Sequence, residues 1–104
     1  FPFDNDFSQY DLAKQQMSGA CGLLSFYIKA DSIDAVERFC ESLQHIMMAV
    51  SWGGHESLII PKCAGIKREQ FNAANKDHRM MRLYVGLEEA DYLTGDLERA
   101  LEKI

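Results

Sequence analysis

Between residues 23 and 29 the apolar positions alternate. Leu24, Phe26 and Ile28 share one face of a predicted strand, and Leu23, Ser25 and Tyr27 share the other. The period then lengthens. Ile33, Val36, Phe39, Cys40, Leu43, Ile46, Met47 and Val50 follow helical spacing, the clearest amphipathic pattern in the chain. Asp31 or Ser32 supplies a cap for this helix, and Asp34 and Glu37 suit the positive end of its dipole. Gly53 and Gly54 break the pattern. Residues 57–60 read as a short strand ended by Pro61. Alternation returns at 79–85, with Met81, Leu83 and Val85 on one face and Met80, Arg82 and Tyr84 on the other. Residues 91–104 close as a helix with a stripe of Leu93, Leu97, Ala100, Leu101 and Ile104. Residues 7–17 are compatible with a helix that SGACG at 18–22 terminates, and 67–74 are compatible with a short one.

The order is helix, strand, helix, strand, a possible short helix, strand, helix. Few strands with long covering helices imply an α/β (α+β) fold: a small, mostly antiparallel sheet with helices on one face. The other face must meet solvent or a second body. Leu23, Ser25 and Tyr27 beside Met80, Arg82 and Tyr84 make it semi-polar, as a docking face would be.

Composition narrows the choice of function. A chain of 104 residues has room for one core, and 47% hydrophobic residues is ordinary for a globular protein. Sixteen acids against eleven bases give a net charge of −5, with no basic run, which argues against nucleic acid as a partner. No apolar run approaches a membrane span. Cys21, Cys40 and Cys63 form no CxxC pair. Phe1 is not an initiator methionine and no signal peptide follows it, so reduced thiols and a cytoplasmic setting are expected. His45, His55 and His78 have no metal-spaced partner. Glu56, Glu88 and Glu89 are expected as cap or surface acids. The pairs Met47, Met48 and Met80, Met81 are expected to serve packing.

Three stretches stand out: AVSWGGHESL at 49–58, RLYVGLEE at 82–89, and Asp96, Leu97, Glu98, Arg99, Ala100, Leu101 at the end. In order and spacing they resemble SLGG-x-ESL, IRLSVGLED and D-L-x-x-A-L of the Cys/Met-metabolism enzymes that use pyridoxal 5'-phosphate. That transsulfuration family includes cystathionine γ-synthase, cystathionine lyases and methionine γ-lyase. The resemblance covers nearly the whole chain and implies the small C-terminal domain of a fold-type I enzyme. Residues 1–17 would be the interdomain linker and helix, and 18–104 the small domain. Nothing here resembles the cofactor lysine or the phosphate loop of the family's large domain, so the chain is expected to be part of an enzyme and inactive alone. The implied chemistry is β- or γ-elimination or replacement on sulfur amino acids or activated homoserines. The implied partners are the missing N-terminal large domain and further copies in a homo-oligomer.

The resemblance assigns two site residues. Arg82 matches the arginine of RLSVG, which holds the substrate carboxylate. A planar guanidinium can grip both carboxylate oxygens, and a strand is a rigid mount. Ser51 matches the serine of SLGG, which lies beside the cofactor and its lysine and helps place lysine and substrate. The plainer alternatives are a strand arginine paired with a surface acid, and a serine that ends the helix before a Gly-Gly turn. No base accompanies Ser51, so a serine hydrolase is not indicated. Trp52 and Tyr84 depart from the leucine of SLGG and the serine of RLSVG, and either could line the substrate mouth or pack against the large domain. KCAGIKREQF after Pro61 departs from the small residues and TH pair common there. A regulatory module that binds an amino acid is the alternative reading, and a protein-interaction domain is a third. Phe1, Phe3, Phe7 and Leu23 add apolar area, so self-association is expected.

Overall fold

The computed structural model describes residues 4–104; Phe1 and Phe3, counted above toward an exposed apolar surface, lie outside them. The elements run α1 (Tyr10–Gln16), β1 (Leu23–Tyr27), α2 (Ile33–Ser42), β2 (Met47–Met48), β3 (Leu58–Pro61), β4 (Met80–Tyr84) and α3 (Ala90–Leu101), with 3-10 turns at Arg68–Gln70 and Lys76–Arg79 before β4. The four strands form one sheet in the order β1-β4-β3-β2. β4 is antiparallel to both neighbours, and β2 runs parallel to β3.

Register converts the period-two patterns into two faces. Leu24 lies opposite Leu83, Phe26 opposite Met81, and Ile59 opposite Leu83. These side chains form one core with Val36 and Phe39 of α2 and Leu93 and Ala100 of α3. Phe39, Ile59 and Met81 are fully buried. Burying one such side chain contributes about 1.5–3 kcal/mol, so this face dominates the fold's stability. The opposite face carries Ser25, Tyr27, Arg82 and Tyr84, all exposed or half-buried. The fold class expected from the sequence is therefore the one observed.

α2 begins where its cap implies: the Ser32 side chain accepts from the Ala35 N–H. It ends eight residues before the helical spacing does. Leu43 turns extended, and Met47 and Met48 join the sheet as an edge strand with exposed side chains. Val50, expected on the buried stripe, is 71% exposed. The cause is a carboxylate from a distant part of the chain. Asp96, on α3, is fully buried and accepts from the backbone N–H groups of Gln44, His45 and Ile46, each at 2.9 Å. Arg99 adds a fourth donor at 2.7 Å. A carboxylate with several donors is a stronger acceptor than the carbonyls a continuing helix would offer. Burial pushes the Asp96 carboxyl upward, but the N–H groups of Gln44, Ile46 and His45 outweigh it and hold the group below the usual aspartate range.

Two smaller expectations also change. Residues 67–74 contain only the 3-10 turn, whose Arg68 pairs with Asp34 and Glu37 of α2. Leu101 is largely exposed, so the buried stripe of α3 passes through Asp96 instead.

Candidate functional site

β4 is an interior strand, so pairing on both sides fixes the direction of its side chains. Arg82 lies opposite Ser25 on β1 and Ile60 on β3. Its neighbours Met81 and Leu83 are buried toward the helices, which places Arg82 on the uncovered face. Its Nη2 donates to the carbonyl oxygen of Val50, the residue before Ser51. The structure thus brings the arginine to the serine-bearing loop. Five N–H donors belong to a guanidinium, so that one bond leaves others to receive a carboxylate. Ser25, Ile60, Met80, Lys62 and Arg82 help line a shallow cavity of about 360 Å³ on this face.

Ser51 is exposed and lies outside any helix, nine residues past the end of α2. The alternative that it merely terminates the helix is therefore overturned. Gly53, with φ of 92°, turns the chain in the left-handed region that glycine tolerates. Trp52, between them, is exposed.

The two motif stretches meet along their lengths. The Tyr84 hydroxyl donates to the Gly54 carbonyl at 2.9 Å, and the Leu87 N–H donates to the His55 carbonyl at 2.9 Å. Ser57 is fully buried; its N–H and hydroxyl donate to the two carboxylate oxygens of Glu88, both at 2.7 Å. The Gly86 N–H donates in turn to the Ser57 hydroxyl oxygen. The Ser57 hydroxyl first, and its N–H second, hold the Glu88 carboxyl below the usual range. Glu88, expected as a surface or cap acid, is thus a structural acceptor. Glu89 is the N-cap of α3 but makes no side-chain cap bond, and Glu56 sits 3.2 Å from His55. Sequence reasoning missed Asp96, Ser57 and Glu88 as organising groups. The one signal was that each stood inside a recognised stretch.

His45 stacks on Tyr92 with ring centroids 3.9 Å apart, its Nδ1 2.6 Å from the tyrosine hydroxyl. Cys40 and Cys63 line a cavity of about 260 Å³ between α2 and the turn after β3. Burial is the main cause that pushes the Cys40 thiol up to about 11, and it raises Cys63 also. Among the described residues, no helix is long and apolar enough to cross a membrane.

Comparison with known proteins places this geometry in context. Cystathionine gamma-lyase of Sus scrofa is 37% identical over 98 residues, which cover 90% of this chain and 24% of that protein. L-methionine gamma-lyase of Pseudomonas putida is 36% identical over 107 residues, covering 98% of this chain and 26% of that protein. The structure of cystathionine gamma synthase from Xanthomonas oryzae pv. oryzae, in complex with aminoacrylate and cysteine, superposes with a TM-score of 0.78 at 30% identity. It covers 99% of this chain and 27% of that one. The chain therefore spans about a quarter of the length of these relatives. The profile described as Cys/Met metabolism PLP-dependent enzyme matches residues 1–102, and with it the chain belongs to that pyridoxal-phosphate-dependent family.

Proposed function

We propose that this chain is the substrate-clamping small domain of a pyridoxal-phosphate-dependent enzyme of sulfur amino-acid metabolism. Residues 18–104 form that domain, and 1–17 lead into it from a large domain elsewhere in the protein. The observation that carries the reading is the position of Arg82: on the uncovered sheet face, bonded to the residue before Ser51.

The residues present do not fit the cofactor itself. All six lysines are exposed, and Lys62, near Arg82, is already paired with Asp77 at 2.7 Å. A phosphate needs converging N–H groups, often at a helix N-terminus. Here α2 opens beside Asp31 and Asp34, and α3 beside Glu89 and Asp91, where acids repel an anion. On this reading the attachment lysine and phosphate cradle belong to another part of the enzyme, and the isolated chain is inactive.

What this chain supplies is orientation. Arg82 receives the α-carboxylate of an amino-acid substrate through two parallel N–H donors, which sets direction as well as position. The Ser51 hydroxyl, able to donate or accept, follows the residue that Arg82 bonds and helps place the reacting amine groups. The substrate class is sulfur amino acids or activated homoserines, the reaction β- or γ-elimination or replacement, the assembly a homo-oligomer and the setting cytoplasmic.

A chimera tests this. The chain replaces the matching region of cystathionine gamma-lyase, and elimination is measured with Arg82 present or changed. Arg82→Ala removes charge-assisted bonds of about 1.5–3 kcal/mol, so kcat/KM falls roughly 10- to 100-fold, mainly through KM. An Arg82→Ala chimera with unchanged kcat/KM refutes the clamp. Pyridoxal phosphate added to the chain alone should give no lysine-linked absorbance. Tight calorimetric binding of methionine or cysteine by the chain alone would instead support a regulatory module.

A further inference from the structure

The stretch from Val50 to Ser57 carries Ser51 and Trp52, yet it has no regular structure of its own. What shapes it is the segment that follows Arg82. Tyr84 holds Gly54, Leu87 holds His55, and Gly86 and Glu88 hold Ser57, all at 2.7 to 2.9 Å. The two segments touch closely enough that a Cβ on Gly86 would lie 2.3 Å from the His55 carbonyl oxygen and 2.7 Å from the Glu56 carbonyl carbon. Both are backbone atoms, so no side chain fits there unless the loop moves away.

We infer that Tyr84 and Glu88 are positioning residues: Glu88 anchors the loop's end at Ser57, Tyr84 pins its tip at Gly54, and together they hold Ser51 and Trp52 in register with Arg82. The inference deepens the clamp reading and rests on it. Glu88 acts through Ser57, whose hydroxyl relays the contact to the Gly86 N–H. His55 on the loop favours the charged form of this carboxylate and is itself paired with Glu56, and Glu89 follows in sequence. Tyr84 acts directly. A serine, which the RLSVG pattern has at this position, ends one bond beyond Cβ and cannot span to Gly54 as the phenol does. This chain therefore has a tie that a serine at this position could not make.

Trp52 is the only tryptophan and sits two residues from Gly54, so it reports on the loop directly. The test measures nanosecond anisotropy decay of Trp52 and amide hydrogen exchange at Ser57 and Leu87, in the 104-residue chain and its Y84F, E88A and E88Q variants. Loss of a charge-assisted acceptor speeds exchange at Ser57 about 10- to 100-fold in E88A, and Trp52 gains a fast component in both E88A and Y84F. E88Q keeps an acceptor for the Ser57 N–H and recovers part of the protection. A purely fold-stabilising role would lower the unfolding midpoint and leave Trp52 motion in the folded chain unchanged. Folded Y84F and E88A with Trp52 decay and Ser57 exchange like the parent overturn the inference. Should E88A fail to fold, Y84F and E88Q decide alone. The readout is independent of catalysis. A mobile parent loop with an active chimera sinks the latch and spares the clamp; a rigid loop with an inert chimera does the reverse.

Discussion

Replacing Asp96 tests how one buried carboxylate shapes the middle of the chain. Its two oxygens take four donors: Gln44 and Arg99 on one, His45 and Ile46 on the other. Asparagine keeps one acceptor oxygen, so its best orientation retains two of the four and turns an NH₂ toward the rest. If it retains His45 and Ile46, the lost partners are Gln44 and Arg99, which are exposed and recover water. D96N should then cost about 2–3 kcal/mol, since a bond to a charged group contributes about 1.5–3 kcal/mol. D96A strands the buried Ile46 N–H as well and should cost about 3–5 kcal/mol. Against a total of about 5–15 kcal/mol for a domain, D96A approaches global unfolding. Urea titration followed by circular dichroism measures both. The pH dependence carries a second check. The folded carboxyl titrates below the roughly 3.9 of an unfolded aspartate, so protonation favours the unfolded chain. The contribution is complete above that unfolded value and drains as pH falls through the depressed folded one. D96N should show a flatter stability profile across that window. A D96N variant within about 0.5 kcal/mol of the parent, with the same acid profile, refutes the argument.

Further outcomes follow from burial and exposure. F39A empties a fully buried position at the centre of the core and should lose about 3–5 kcal/mol, read as a shifted urea midpoint; a loss under about 1 kcal/mol means the core sits elsewhere. Cys21 is exposed while Cys63 is buried and Cys40 is pushed up to about 11, so a thiol reagent at neutral pH should label Cys21 first. Fast labelling of all three in the folded chain contradicts this. Met47, Met48, Trp52 and Leu87 are exposed apolar groups, and the chain should self-associate as concentration rises. A strict monomer by sedimentation at high concentration counts against that.

Much of the fold was legible because its signals are local. The alternation at β1 and β4, the Ser32 cap and the start of α3 each arise from neighbouring residues, and each was found within a few positions. The end of α2 was not legible. Leu43, Ile46, Met47 and Val50 continue a helical rhythm, but the donor groups of 44–46 are captured by Asp96 some fifty residues later. Periodicity carries no information about a partner that far away. The same limit hid Glu88: an acid beside other acids looks solvated until the fold brings Ser57 to it. Arg82 and Ser51 were picked out by resemblance rather than by physics. Alternation alone placed Arg82 on the correct face, while only coordinates bring it to Val50.

The strand order β1-β4-β3-β2 has a consequence for biosynthesis. Among the described strands β1 is made first, and the one it pairs with, β4, is made more than fifty residues later. Until Tyr84 has emerged, the nascent β1 has no mate, and its Leu24 and Phe26 lack the Leu83 and Met81 that lie opposite them. Cotranslational folding of this sheet must therefore stay open at the β4 position until residue 84 has been made, a delay that favours chaperone engagement over early closure.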